Sequence, residues 1–177
     1  MRPAVEPEKK AIALTWLFHL VGDVHQPLHT VQIFTKEYPI GDRGGNEICV
    51  RVRADGPPMD LHRFWDGVIT SSGNLTRLTN EATALRNRPE FAKGRLTELA
   101  SSDFAAWAKE GYEIATNVAY QNGKLRGTPK GQRKECREGT DATVLPPGYT
   151  VIAKRIADRR IMLAGYRLAT ILERISA

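Results

Sequence analysis

The stretch His19-Leu20-Val21-Gly22-Asp23-Val24-His25-Gln26-Pro27-Leu28-His29 holds three of the four histidines in the chain. Immediately upstream, Ala11-Ile12-Ala13-Leu14-Thr15-Trp16-Leu17-Phe18 is apolar nearly all round, the pattern of a helix covered on every side. Pro7, with Glu6 and Glu8 beside it, suits a helix start. Pro27 disfavours helical geometry at Gln26, so the helix ends or kinks there. The pattern therefore predicts a buried helix over residues 7–25 that delivers its histidines to a bend.

Working outward, residues 30–45 read as a loop that ends in Gly41-Asp42-Arg43-Gly44-Gly45. Ile48-Cys49-Val50-Arg51-Val52-Arg53 alternates apolar and polar positions and predicts a half-exposed strand. The turn Asp55-Gly56-Pro57-Pro58 comes next, and a second helix is expected through residues 61–66. A helical pattern runs from about 78 to 119, with Phe104, Trp107, Ile114 and Val118 as expected core positions. Residues 121–148 are rich in Gly, Pro and charge and read as a long loop. Residues 149–175 form a long amphipathic helix. The expected fold class is mainly α with a small β-hairpin, in a single domain, since 177 residues suit one core and not two.

Composition narrows the function only a little. The hydrophobic fraction of 41% excludes global disorder. A net charge of +6 favours polyanions weakly and fits plain solubility equally well. The basic stretch Lys124, Arg126, Lys130, Arg133, Lys134 and Arg137 would hold backbone phosphates or, more simply, face water. Two cysteines, Cys49 and Cys136, either form one disulfide or stay as buried thiols, and without a C-x-x-C spacing they make no zinc knuckle. The apolar run that begins after Lys10 is too short to span a bilayer. It continues into the histidine motif and not into a small-residue cleavage site, so no signal peptide is expected in this chain.

The chemistry lies in two matched pairs, His19-x3-Asp23 and His62-x3-Asp66. Positions i and i+4 share a helix face, so an imidazole and a carboxylate reach one point. Taken singly, such a pair is more simply a helix-stabilising contact; two pairs and a further histidine, His29, point to metal. Neutral imidazole and carboxylate oxygen both suit zinc. His29 grouped with His62 and Asp66 makes a His2Asp set, and three protein ligands leave a fourth position for water, the catalytic pattern of zinc. His25 fits neither pair and is expected to pack or to support a ligand.

The motif His19 to His29 resembles the signature of the S-one/P-one type nucleases, the mould single-strand nucleases and plant bifunctional nucleases, related to zinc phospholipase C. Gly41-Asp42-Arg43-Gly44-Gly45-Asn46 and Asp60-Leu61-His62-Arg63-Phe64-Trp65-Asp66 come after it in the family's order. The resemblance implies a multi-helical, phospholipase C-like fold with three zinc ions. It implies cleavage of single-stranded DNA and RNA to 5′-phosphorylated products, and release of 3′-phosphate from nucleotides. His19 and Asp23 would belong to a two-zinc pair with Asp23 bridging, while His29, His62 and Asp66 would hold the remaining ion. Gly44 and Asn46 match the pocket that receives a nucleobase, and the glycines also suit a turn of positive φ. Trp65 is expected in the core. The family's N-terminal Trp, His, Asp, His and Arg find no counterpart in the eighteen residues before His19, so one complete zinc site is expected and the chain is read as N-terminally incomplete: a fragment, a chain with a misassigned start or a degenerate copy. The intact parent would be secreted or periplasmic, and monomeric. A zinc phospholipase C-like esterase, a non-catalytic zinc-stabilised helical domain and a nucleic-acid binder without chemistry are the alternatives.

Overall fold

The long C-terminal helix sets the frame. The computed structural model describes residues 6–70, 72–125, 127–131, 135–137, 139 and 141–176. Five α-helices appear among them: α1 (Pro7–Asp23), α2 (Leu61–Gly67), α3 (Leu75–Arg86), α4 (Phe104–Ile114) and α5 (Tyr149–Ser176). Along α5 the buried positions Tyr149, Ala153, Ala157, Arg160, Ala164 and Arg167 recur every three or four residues, which makes one continuous inner face. Small alanines on that face let neighbours approach closely.

Local chemistry sets several boundaries. The Asn74 side chain accepts from the Arg77 amide at 2.9 Å and starts α3. Asp103 caps α4 by accepting from the amides of Ala105 and Ala106. The helical pattern expected over 78–119 is broken in its middle. Pro89 begins a run of short 3₁₀ turns that reaches Ala100, because a proline inside a helix removes a donor and clashes with the preceding turn. Beyond α4 the chain passes into a π-helical turn, Ala115–Ala119.

Strand β1 (Ile48–Arg51) lies at the centre of a small sheet. It pairs antiparallel with β2 (Met59–Asp60) as the expected hairpin, with Val50 opposite Met59. Two short strands from the 121–148 segment complete it: β3 (Thr128–Pro129), antiparallel to β1, and β4 (Thr143–Val144), parallel to it. The expectation of a half-exposed strand is corrected. Ile48, Cys49 and Val50 are all buried, because the later segment pairs along β1 and is tied to it through Cys49, which alternation alone does not foresee. Cys49 and Cys136, 87 residues apart, are joined by a disulfide. Closing a loop of that length stabilises the fold by about 4.6 kcal/mol on the chain-entropy account.

The main core gathers Leu28, Ile48, Leu61, Trp65, Tyr120 and Tyr149 around the inner end of α5. Trp65 is buried there as expected, with its indole N–H donating to the Tyr149 hydroxyl at 3.0 Å. Trp107 is buried, and Ile114 and Val118 are half-buried, but Phe104 is 54% exposed and is no core residue; it opens α4 at the surface beside the Asp103 cap. The largest correction concerns α1. It is not buried on every side. Among its described residues only Val21 is buried, while Ile12, Trp16 and Leu20 stand about half exposed in one stripe. Apolar composition reports a preference for cover, and α5 packs against only part of this helix, leaving Leu14 and Leu17 beside an open groove between the two.

Candidate metal centre

Helix α1 ends at Asp23, and the bend beyond it is built by side chains of its own motif. Gln26 turns its amide oxygen onto the Leu28 amide, and Pro27–Thr30 makes one 3₁₀ turn. That turn swings His29 back beneath α1. Helix α2 brings His62 and Asp66 from the other side.

Three of the sequence-identified residues meet at one point. One ligand atom each from His29, His62 and Asp66 lies within 4.8 Å of the others. His29 Nε2 sits 3.3 Å from Asp66 Oδ1, and His62 Nε2 sits 3.5 Å from Asp66 Oδ2. The two imidazoles are stacked nearly parallel, with centroids 4.9 Å apart. Their outer nitrogens are held by other groups. His62 Nδ1 donates to the Gly44 carbonyl at 2.8 Å, which leaves Nε2 as the free donor atom. His29 Nδ1 faces Asp23 Oδ1 at 3.4 Å, a carboxylate behind an imidazole. The hydrogen bond with Asp66 raises the His29 pKa above that of a free imidazole, against the opposing effect of burial. Burial pushes the Asp66 carboxyl up, but hydrogen bonds from His29 and Gln26 together hold it below the usual range.

The first pair behaves differently. His19 Nε2 contacts Asp23 Oδ2 at 3.1 Å, and the His19 side chain is 61% exposed. Asp23 thus touches both His19 and His29, and joins the pair on α1 to the trio beneath it.

Above the trio opens a cleft of about 690 Å³ lined by Asp23, His29, Gln32, Arg43, Gly44 and His62, among others. Its wall is the glycine turn. Gly44 has φ +63° and Gly45 φ +87°, and a side chain on Gly44 would run into the Leu28 carbonyl. Arg43 between Asp42 and these glycines also has positive φ, +54°. Asn46 stands next to this wall, its side-chain amide donating to the Arg43 carbonyl at 2.9 Å.

His25 is the one histidine turned inward. It is 2% exposed, its Nδ1–H donates to the Val21 carbonyl, and its Nε2 accepts from Arg167 at 2.8 Å. Burial and then the nearby Arg160 push its pKa down to about 4. Arg160 also donates to the His25 and Val24 carbonyls, and Glu110 binds both arginines. Of the two roles expected of His25, these partners give it packing, since none of them belongs to the trio.

Sequence reading missed two participants. Gln26 donates to Asp66 Oδ1 at 2.9 Å and links the bend to α2; its place within the histidine motif is the signal that was there to find. Asp42, fully buried, accepts from the amides of Gly44 and Gly45. Of the basic stretch, Lys130 is engaged with Asp60 and the Asn46 carbonyl, Lys124 and Arg137 are not buried, and Arg126, Arg133 and Lys134 lie outside the described residues.

Comparison with known proteins points the same way. The family model described as S1/P1 Nuclease matches residues 1–177. Endonuclease 3 of Arabidopsis thaliana is 31% identical over 92% of this chain and 51% of its own length, and Endonuclease 4 of the same plant is 30% identical over 92% and 50%. Nuclease S1 of Aspergillus oryzae is 39% identical over 30% of this chain and 15% of its own. The chain spans about half the length of the plant relatives it matches. No solved structure matches.

Proposed function

Because the chain belongs to the S1/P1 nuclease family, we propose that His29, His62 and Asp66 hold a zinc ion in a zinc-dependent phosphodiesterase that cleaves single-stranded DNA and RNA. The observation that carries this reading is the convergence of two imidazole nitrogens and one carboxylate within 4.8 Å, with both imidazoles lining an open cleft. The donor set fits zinc: two neutral imidazoles and a carboxylate, with room for a fourth ligand. Zinc bound there would polarise phosphoryl oxygens and lower the pKa of a water molecule. The chain's own residues do the rest. The Gly44 carbonyl holds the proton on His62 Nδ1, so Nε2 stays available. Asp23 steadies His29 from behind, and Gln26 steadies Asp66. Arg43, exposed on the cleft wall, attracts the phosphate.

The finer assignments belong to the same proposal. His19 and Asp23 would help to hold a further zinc pair beside that site. Gly44 and Asn46 border the pocket for an unstacked base, which would favour single strands over duplex. The products carry 5′-phosphates, and 3′-nucleotides are also substrates. The disulfide suits an oxidising compartment, so the protein works outside the cell or in the periplasm. No described helix is long and apolar enough to cross a membrane.

The test is a zinc titration of this chain, then incubation with single-stranded DNA, in parallel with a protein of the plant relatives' length. We expect this chain to bind at least one zinc ion and to hydrolyse DNA weakly or not at all, while the longer protein cleaves it. Absence of zinc binding would refute the ligand assignment. Hydrolysis of phospholipid with no action on DNA would favour the esterase reading.

A further inference from the structure

Tyr120 is separated from His62 by 58 positions, yet two shared groups join them. The Tyr120 hydroxyl donates to Asp42 Oδ2 at 2.7 Å, inside the core. That carboxylate also accepts from backbone amides: Ile33 at 2.8 Å and Gly44 at 3.2 Å on Oδ1, and Gly45 at 2.7 Å on Oδ2. A buried carboxylate gathered by neutral donors is costly unless every donor stays aimed at it. Here the donors shape the glycine turn. The same turn carries His62 twice, since the Gly44 carbonyl receives His62 Nδ1 at 2.8 Å and the Gly45 carbonyl receives the His62 amide at 3.3 Å.

The π-helical turn explains how Tyr120 arrives there. The Tyr120 amide bonds the Ala115 carbonyl at 2.8 Å, one residue further back than in an α-helix. One inserted residue rotates the downstream chain by about 100°. Ala115 and Ala119 are fully buried, so the rotation aims the ring at the core and its hydroxyl at Asp42.

Resting on the reading that His62 is a zinc ligand, we propose that Tyr120 and Asp42 are positioning residues for it. Through the glycine turn they keep the proton on His62 Nδ1 and present a bare Nε2 to the metal. Neither residue touches the trio. Their influence passes through backbone groups, as do many outer contacts of metal ligands.

Tyr120→Phe removes one oxygen and little else. The metal-free chain, labelled with nitrogen-15 in its histidines, reports the His62 tautomer by NMR at about pH 8, where imidazole is neutral. In the wild type the proton sits on Nδ1. In Tyr120→Phe a fraction moves to Nε2, and zinc affinity falls about tenfold, the lower end of the range for outer-shell changes. Tyr166→Phe is the control. It loses a hydroxyl bonded to the Phe91 carbonyl in the second core cluster and should change neither reading. Asp42→Asn should shift both further; if that variant fails to fold, Tyr120→Phe decides alone. The proposal is overturned if His62 keeps its Nδ1 proton in Tyr120→Phe, or if Tyr166→Phe matches its effect. It is also overturned if a wild type that takes up zinc shares its affinity with Tyr120→Phe. Should the wild type take up no zinc, the ligand assignment fails, and the tautomer shift still judges the positioning.

Discussion

His25 and His29 lie four residues apart in one motif, and they end in opposite surroundings. Both ring nitrogens of His25 are spent inside the fold, on the Val21 carbonyl and the Arg167 guanidinium. Around it Glu110, Arg160 and Arg167 close on one another and on the carbonyls that end α1. His29 uses one nitrogen against Asp23 and turns the other, with His62 and Asp66, to a shared point beside solvent. On the proposed reading, a ligand histidine is set apart from a packing histidine by what its second nitrogen is free to do. The closed cluster holds the bend in place and the open one uses it, so the two should fail in different ways.

Removing Glu110 gives the largest expected change. Glu110→Ala leaves two buried guanidiniums without their shared carboxylate, which costs about 4 kcal/mol of stability in urea unfolding. The folded fraction should still bind one zinc ion. A loss below ~1 kcal/mol would mean that the cluster does not clamp the bend.

The next effect is one of pH. The folded-state pKa of His25, about 4, lies below the 6.5 of a free imidazole, so the unfolded chain takes up the proton first. Stability is complete above about pH 6.5 and falls by up to about 3 kcal/mol as pH drops toward 4. Denaturant unfolding of the chelated protein, wild type against His25→Gln, measures this slope, which the variant should lack. His29 has the opposite sign. Its raised pKa means that protonation favours the metal-free fold, and that support fades as pH rises through the folded-state value. With zinc present, the same shift lets protons compete for the site at higher pH than for a free imidazole. A zinc affinity that is flat across pH 6–7.5, roughly the imidazole range, would argue against His29 as a ligand.

His62→Ala should weaken zinc binding by about a hundredfold or more in calorimetry, beyond the usual reach of outer-shell changes. It should move the stability of the chelated chain by less than about 1 kcal/mol, because the imidazole packs at a partly exposed position. His19→Ala gives the smallest effect. Zinc at the His29 site should change by less than about threefold, since that exposed ring reaches the trio only through Asp23.

Much of the site was legible in the sequence. The motif from His19 to His29, the second pair on α2 and the glycine turn are local, and each was read from spacing or resemblance. Misreadings arose where cover comes from a distance. The apolarity of α1 says that it prefers cover and not which faces receive it. Phe104 comes directly after a helix cap, and a cap is usually at the surface. One edge of β1 is closed by strands some 80 to 93 positions downstream, and Cys49 is tied to Cys136 of the same segment. Arg160 and Arg167 look like polar positions of an amphipathic helix until Glu110 and His25 are brought against them. The link from Tyr120 to Asp42 has no local signature at all.

Zinc binding at this site requires His29 and His62 to offer their Nε2 atoms to one ion. Histidine ring nitrogen-15 shifts, followed by NMR as one equivalent of zinc is added to the chelated chain, test this directly. The expected result is a move of His29 and His62 Nε2 into the metal-bound range while His25 stays where it was. Zinc that left both Nε2 resonances unmoved, or that moved His25 instead, would contradict it.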